Sequence, residues 1–300
     1  MGFLQAQDRR AAVLAVGARA GGPTAAGVEA AMRAPNAGAA PPIVRTWAMR
    51  GTLHLLAAED LPVVLAVYGP LLLARGARRL TQLGLPPPLA ERSTRATAEI
   101  LAAEGPLTRH ELAERLRARG LPVGPKGQAP VHVVARAAAA GVLVEVGDDR
   151  YAAPDLEPLP ARDAALRTLA RRYLDGHAPA SLDDFARWSG LPAADARAAW
   201  PGDAAPPDDE PPPAGVRLLP AYDEWLLGWA GVPRAPQYAP GGGLLRPVAI
   251  ADGVPFATWR LDGARGVVAL APFARVPGAG VAEEVARLSA FLERSLRLAR

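Results

Sequence analysis

The chain has 300 residues, half of them apolar, and a formal net charge of +4; that length suggests one large domain or two to four small ones. The absence of cysteine excludes a disulfide framework, a thiolate-held zinc and a cysteine nucleophile, and His54, His110, His132 and His177 show no metal-ligand spacing. No apolar run approaches the ~20 residues that cross a bilayer and no secretory pattern precedes the first helix, so the expected location is the cytoplasm, with neither membrane nor metal as a partner.

Taken in chain order, residues 8–20 read as a helix opened by Asp8 and stopped by Gly21-Gly22-Pro23, after which Thr24 can cap a second helix through Met32. Residues 43–57 change period. Ile43, Val44, Trp47 and Met49, then Leu53, Leu55 and Leu56, predict two short strands turning at Arg50-Gly51. Two helices followed by a hairpin form the later part of a winged helix, so residues 1–58 are expected to be a first winged-helix unit truncated at its N-terminus. A long helix follows from Glu59-Asp60 to about Leu83, is broken at Pro86-Pro87-Pro88, and gives way to another over about 91–103.

The clearest segment comes next. Thr108-Arg109-His110-Glu111 fits a capping box, in which Thr108 and Glu111 satisfy each other's orphan backbone amides. A helix over 130–140 is closed by Gly141, and Val142, Val144 and Val146 alternate before a turn at Gly147-Asp148-Asp149 and a return strand at Tyr151. Three helices and a two-stranded wing in this order define the winged-helix variant of helix-turn-helix, placing a second unit at 59–155. Helices over 162–175 and 192–200, with a Ser181-Leu182-Asp183-Asp184 cap between them, predict a third winged-helix-like unit ending in the acidic, Pro-rich linker 201–214, within 156–215. The Asp208-Asp209-Glu210 run belongs to that linker.

Residues 216–300 read differently. Strands fit 246–251, 254–261 and 265–273, with Asp252-Gly253 as a hairpin turn. A helix from about 280 to 299 is expected to end the chain, with Arg294, Arg297 and Arg300 suited to the negative end of its dipole. The expected fold class is mainly α with β (α+β): tandem winged-helix units, then a β-rich C-terminal element and a terminal helix.

Charge is unevenly placed. Residues 1–155 hold 18 basic and 13 acidic residues, against 16 and 17 in 156–300. An anionic partner would meet the N-terminal half first. Lys126 is the single lysine.

The runs LQAQD (4–8), VRTWAMRGTLHLLAAEDLP (44–62), LLPAYDEWLLGW (218–229) and DGVPFATWR (252–260) together resemble the winged-helix DNA-binding-domain family of bacterial DNA glycosylases, of the AlkZ and YcaQ type. The resemblance covers nearly the whole chain in the right order. It implies a C-shaped body of winged helices around a DNA channel, and a monofunctional glycosylase that excises alkylated purines, including bulky and cross-linked N7 adducts, from double-stranded DNA. The family signature is Gln-apolar-Gln, or Gln-apolar-Asp in one branch, and maps onto Gln5-Ala6-Gln7.

That chemistry suits two amides. An N7-alkylated purine is cationic and already a good leaving group, so the enzyme must chiefly hold a water under C1′ and tolerate an oxocarbenium-like sugar. Amides can do this by hydrogen bonding, without a strong general base. Gln5 and Gln7 share a face only in an extended segment; on a helix they diverge by about 200°. Residues 3–7 are therefore predicted to be non-helical. Without the resemblance, both read as ordinary polar residues.

The DNA-contact candidates are Arg45 and Arg50, which flank Trp47; Thr52 and His54 on the same hairpin; and Lys126, His132 and Arg136 in or before the recognition helix of the second unit. Tyr222-Asp223-Glu224-Trp225 reads as packing and a wall of the expected channel, since adjacent carboxylates do not face each other on a helix or strand. No cofactor and no metal are expected, and a monomer is. Two further readings remain open: a non-catalytic DNA-binding regulator, and a scaffold of winged helices that binds protein.

Overall fold

The computed structural model describes residues 2–33, 41–124, 126–202 and 215–299. The elements run β1 (Phe3–Gln5), α1 (Arg9–Arg19), α2 (Ala25–Ala31), β2 (Ile43–Trp47), β3 (Leu53–Ala57), α3 (Leu61–Gln82), α4 (Pro87–Glu104), β4 (Leu107–Thr108), α5 (Arg109–Ala118), α6 (Ala129–Ala139), β5 (Val144–Val146) and β6 (Arg150–Ala152). They continue with α7 (Arg162–His177), α8 (Leu182–Ser189), α9 (Ala193–Ala199), β7 (Val216–Leu219), α10 (Glu224–Leu227), β8 (Val248–Ala251), β9 (Val254–Asp262), β10 (Val267–Pro272), α11 (Val281–Phe291) and β11 (Arg297–Leu298). This is a mixed α+β chain. It forms two compact units whose segments interleave: one of residues 1–3, 31–173 and 189–202, the other of 4–30, 174–188 and 203–300.

The first compact unit is built on strands that lie side by side in the order β3-β2-β5-β6-β4. Strand, helix, helix and hairpin occur twice in sequence, as β1-α1-α2-β2-β3 and as β4-α5-α6-β5-β6. In the second copy the leading strand β4 joins β6, the last strand of its own hairpin, and the two hairpins meet where β2 pairs antiparallel with β5. The predicted turn forms at Arg50-Gly51, both at positive φ, with Ile43 opposite Ala57 and Trp47 opposite Leu53. In the second copy the capping box is complete: Glu111 N donates to Thr108 Oγ1, and Thr108 N to Glu111 Oε2 at 2.8 Å. Leu112, Leu116, Val133, Val134, Leu143 and Tyr151 fill the core beneath α4, α5 and α6. With Pro87 and Pro88 tolerated in its first turn, α4 starts several residues earlier than its periodicity suggested.

The long α3 corrects one expectation. The stretch Ala58–Gln82 has the length and mean hydropathy, 1.3, of a membrane span. Its buried side chains, Leu61, Val64, Leu65, Val67, Tyr68 and Leu80, are the reason for that hydropathy, since they pack in the core. At Gly69 the helix approaches α6 so closely that a Cβ would lie 2.8 Å from the Ala139 carbonyl oxygen. In the third predicted winged-helix unit the helices are found as α7, α8 and α9, but no strand follows them among the described residues before β7. Most of its linker, including Asp208-Asp209-Glu210, lies outside the described residues.

The second compact unit is built on a sheet ordered β11-β10-β9-β8-β7, against which α1 and α11 pack at β7. Asp252 and Gly253 both take positive φ in the hairpin between β8 and β9, as a type I′ turn demands. The terminal helix is shorter than expected. After α11 the chain turns at Leu292 and Glu293, the latter at φ 51, and Ser289 Oγ ties the return by accepting from Leu296 N at 3.2 Å. Arg294 and Arg297 therefore do not sit on the helix dipole; Arg297 lies in β11, parallel to β10. Arg300 lies outside the described residues.

Candidate functional site

Gln5-Ala6-Gln7 links β1 to α1 and is non-helical throughout. Two local features hold it so. Phe3 and Leu4 are buried, and Asp8 starts the helix only after Gln7, accepting from Ala11 N at 3.1 Å. Burial alternates across the triplet: Gln5 is half-buried, Ala6 fully buried and Gln7 exposed.

The main chain of Gln5 is held from far along the sequence, within the second compact unit. Its N–H donates to Glu224 Oε1 at 3.2 Å. The other carboxylate oxygen accepts from Trp188 Nε1 at 2.9 Å, and His177 Nε2 lies 3.9 Å from it. All three side chains are buried. The His177 ring leans on Trp229 and Trp188, at centroid distances of 4.9 and 5.6 Å. It also lies over Gly228, where a Cβ would come within 2.4 Å of its Cδ2. The glycine of the YDEWLLGW run is thus the residue that admits the imidazole.

The neighbouring carboxylate serves a different partner. Asp223 caps α10 through Trp225 N at 2.8 Å and grips both terminal nitrogens of Arg19, at 2.5 and 2.8 Å. Burial would lower the Arg19 pKa; the Asp223 charge outweighs it and holds the guanidinium above its ordinary value. Adjacency argued against a carboxylate pair, and these two indeed act separately. The sequence reading missed Glu224 and His177 because each was judged by its neighbours in sequence; the available signal was an apolar run carrying two acids that had to be buried.

The DNA-contact candidates divide. Lys126 is exposed. His132 and Arg136 line a cavity of about 280 Å3 with Trp47, Arg75 and Arg79, so α3 and α6 together form a basic groove. Burial, then the Arg79 charge, lowers the His132 pKa. Arg136 is half-buried, its Nε donating to Thr94 Oγ1 at 3.1 Å and to the Ala90 carbonyl at 3.2 Å. Arg75 and Arg79 were not among the candidates; their spacing of four on one exposed helix face was the available signal.

The hairpin residues are placed otherwise than expected. Arg45 is 9% exposed and forms an ion pair with Glu145, its register partner on β5, so it is a core residue rather than a phosphate contact. His54 is fully buried, and its Nδ1–H donates to the Thr52 carbonyl at 3.0 Å. Burial first, and then the Arg50 charge, brings its pKa down to about 3, which keeps it neutral and inside. Thr52 spends its hydroxyl on the Met49 carbonyl within the turn. Arg50 lies against Gly190, where a Cβ would meet its Cγ at 2.7 Å. Among the described residues no cluster of three or more His, Asp or Glu is placed to hold a metal ion.

The model of one protein family, described as DNA glycosylase AlkZ-like, matches residues 1–296. The chain belongs to the AlkZ-like DNA glycosylase family. Membership makes DNA the partner of this AlkZ-like chain. No curated protein sequence matches it. Its fold is similar to that of the Streptomyces sahachiroi DNA glycosylase AlkZ, with a TM-score of 0.77 and 24% sequence identity over 99% of this chain and 91% of that one. The AlkZ-like chain therefore has a mixed α+β fold like that of AlkZ, and its Gln5-Ala6-Gln7 segment is non-helical.

Proposed function

We propose that this chain hydrolyses the N-glycosidic bond of N7-alkylated purines in duplex DNA, with the side-chain amides of Gln5 and Gln7 as the groups that serve the reaction. The observation that carries the reading is the non-helical Gln5-Ala6-Gln7 segment, in which half-buried Gln5 and exposed Gln7 flank a buried alanine. Family membership supports glycosylase chemistry, and the amides suit a cationic substrate.

In the proposed reaction the C1′–N9 bond breaks and its electron pair leaves with the base, which becomes a neutral N7-alkylpurine. A water held by amide oxygens adds to C1′ and gives up a proton to solvent, leaving an abasic site. The cationic leaving group needs no general acid, and the amides act by orienting the water and facing the electron-poor sugar. The duplex is held by the winged-helix surface of the first compact unit, where Arg75, Arg79, Lys126, His132 and Arg136 offer positive charge to phosphates.

The test is base release from a duplex carrying a single N7-methylguanine. The wild-type protein should produce abasic sites and the Gln5→Ala, Gln7→Ala double variant should not, while both bind the duplex equally well. Equal release by the two proteins would remove these amides from the reaction. Duplex binding with no release by the wild type would favour a non-catalytic DNA-binding role.

A further inference from the structure

Glu224 is 1% exposed, and a carboxylate withdrawn from water persists only when its oxygens are filled by donors. Here the donors are unusual. One oxygen takes the backbone N–H of Gln5 at 3.2 Å. The other takes the indole N–H of Trp188 at 2.9 Å, with the His177 imidazole beside it. A backbone N–H at the end of a strand ordinarily finds a carbonyl on the neighbouring strand; at Gln5 a side chain 219 residues away takes that place. Trp188 and His177 are themselves fixed, one in the core and the other between Trp229 and the bare Gly228. The carboxylate is thus a rigid post to which the Gln5 main chain is tied.

We propose that Glu224 is a positioning residue for the glycosidic reaction: it fixes the Gln5 backbone, and through it the direction of the Gln5 amide, without touching the DNA. The proposal rests on the reading of Gln5 as a reacting-site amide. A side chain displaced by about 1 Å can lose about a hundredfold in rate, so the tether at the main chain sets the precision of everything beyond it.

The test is single-turnover release of N7-methylguanine by the full chain at saturating protein, with duplex affinity and melting temperature measured alongside. Gln5→Ala should lower the rate by about 100-fold or more. Glu224→Ala should lower it by about 10- to 100-fold, with affinity within about twofold of wild type. Glu224→Gln, which keeps an oxygen for the Gln5 N–H, should lose less than Glu224→Ala. In the Gln5→Ala background, Glu224→Ala should cost no further rate, because its effect runs through Gln5. A merely structural role would lower melting temperature and affinity and would multiply with Gln5→Ala.

If Glu224→Ala does not fold, Trp188→Phe replaces it. This variant keeps an aromatic ring in the core, frees one carboxylate oxygen to turn, and should lower the rate only while Gln5 is present. A wild-type rate for Glu224→Ala, or for Trp188→Phe in its place, together with a crippled Gln5→Ala, would overturn the positioning role and leave the reading of Gln5 intact. Multiplicative losses in the double variant would overturn it equally. A wild-type rate for Gln5→Ala would overturn the reading of Gln5 and this proposal with it.

Discussion

Arg45 and Glu145 lie opposite each other in register on β2 and β5 and form a buried ion pair, 100 residues apart in sequence. It is the point at which the hairpins of two successive strand-helix-helix-hairpin repeats become one sheet. Removing one partner strands a charge in the core, so Glu145→Ala should cost about 3–5 kcal/mol in stability. The paired replacement Arg45→Met, Glu145→Leu should recover most of that loss. Urea denaturation of the three proteins measures both, and equal stability of Glu145→Ala and wild type would show that the pair contributes nothing.

The buried His54 gives the fold a defined acid sensitivity. Its folded-state pKa of about 3 lies below the ordinary value of 6.5. The unfolded chain therefore binds a proton there first as pH falls. The stability due to neutral burial is complete above pH 6.5 and is lost progressively on acidification towards pH 3, with a limiting slope of about 1.4 kcal/mol per pH unit. Between pH 6.5 and 5, above the range where most carboxylates titrate, His54→Leu should flatten the pH dependence of the melting temperature. Parallel profiles for variant and wild type would contradict this assignment.

On the α3–α6 groove, Arg75 and Arg79 are exposed and face His132 and Arg136 across a basic cavity. If both meet phosphates, Arg75→Ala with Arg79→Ala should weaken duplex binding regardless of sequence. It should also reduce the slope of log K against log salt by about 1.8, at about 0.9 per contact. Fluorescence anisotropy over a salt series reads this directly, and an unchanged slope would place the duplex elsewhere.

Gly69 packs closely on backbone in the first compact unit: a Cβ there would lie only 2.8 Å from the Ala139 carbonyl oxygen. Since the obstacle is backbone rather than a pliable side chain, Gly69→Ala should destabilise by about 1–3 kcal/mol despite alanine's better helix propensity. A rise in melting temperature for this variant would mean that α3 and α6 can part without cost.

Much of the local structure was legible in the sequence. The caps at Asp8, Thr24, Thr108 and Ser181 all form where the residues predicted, as do the turns at Arg50-Gly51 and Asp252-Gly253. The non-helical form of residues 3–7 was predicted as well, and the quoted runs were enough to suggest the family. These features depend on interactions among residues a few positions apart, so spacing alone specifies them.

Tertiary structure decided which polar side chains are spent on the fold and which are left for a partner. Arg45, His54 and Arg50 looked like surface residues because arginine and histidine usually are, yet Arg45 and His54 are interior. Their burial depends on a strand about 100 residues later and on the packing of the hairpin, neither of which leaves a periodic trace. The same holds for the basic groove, which needs α3 and α6 side by side, and for Glu224, whose hydrogen bond to Gln5 spans 219 residues. Compensation for a buried charge is chosen in three dimensions: its cost is set by burial, and a sequence lists the charges without saying which of them the core will enclose.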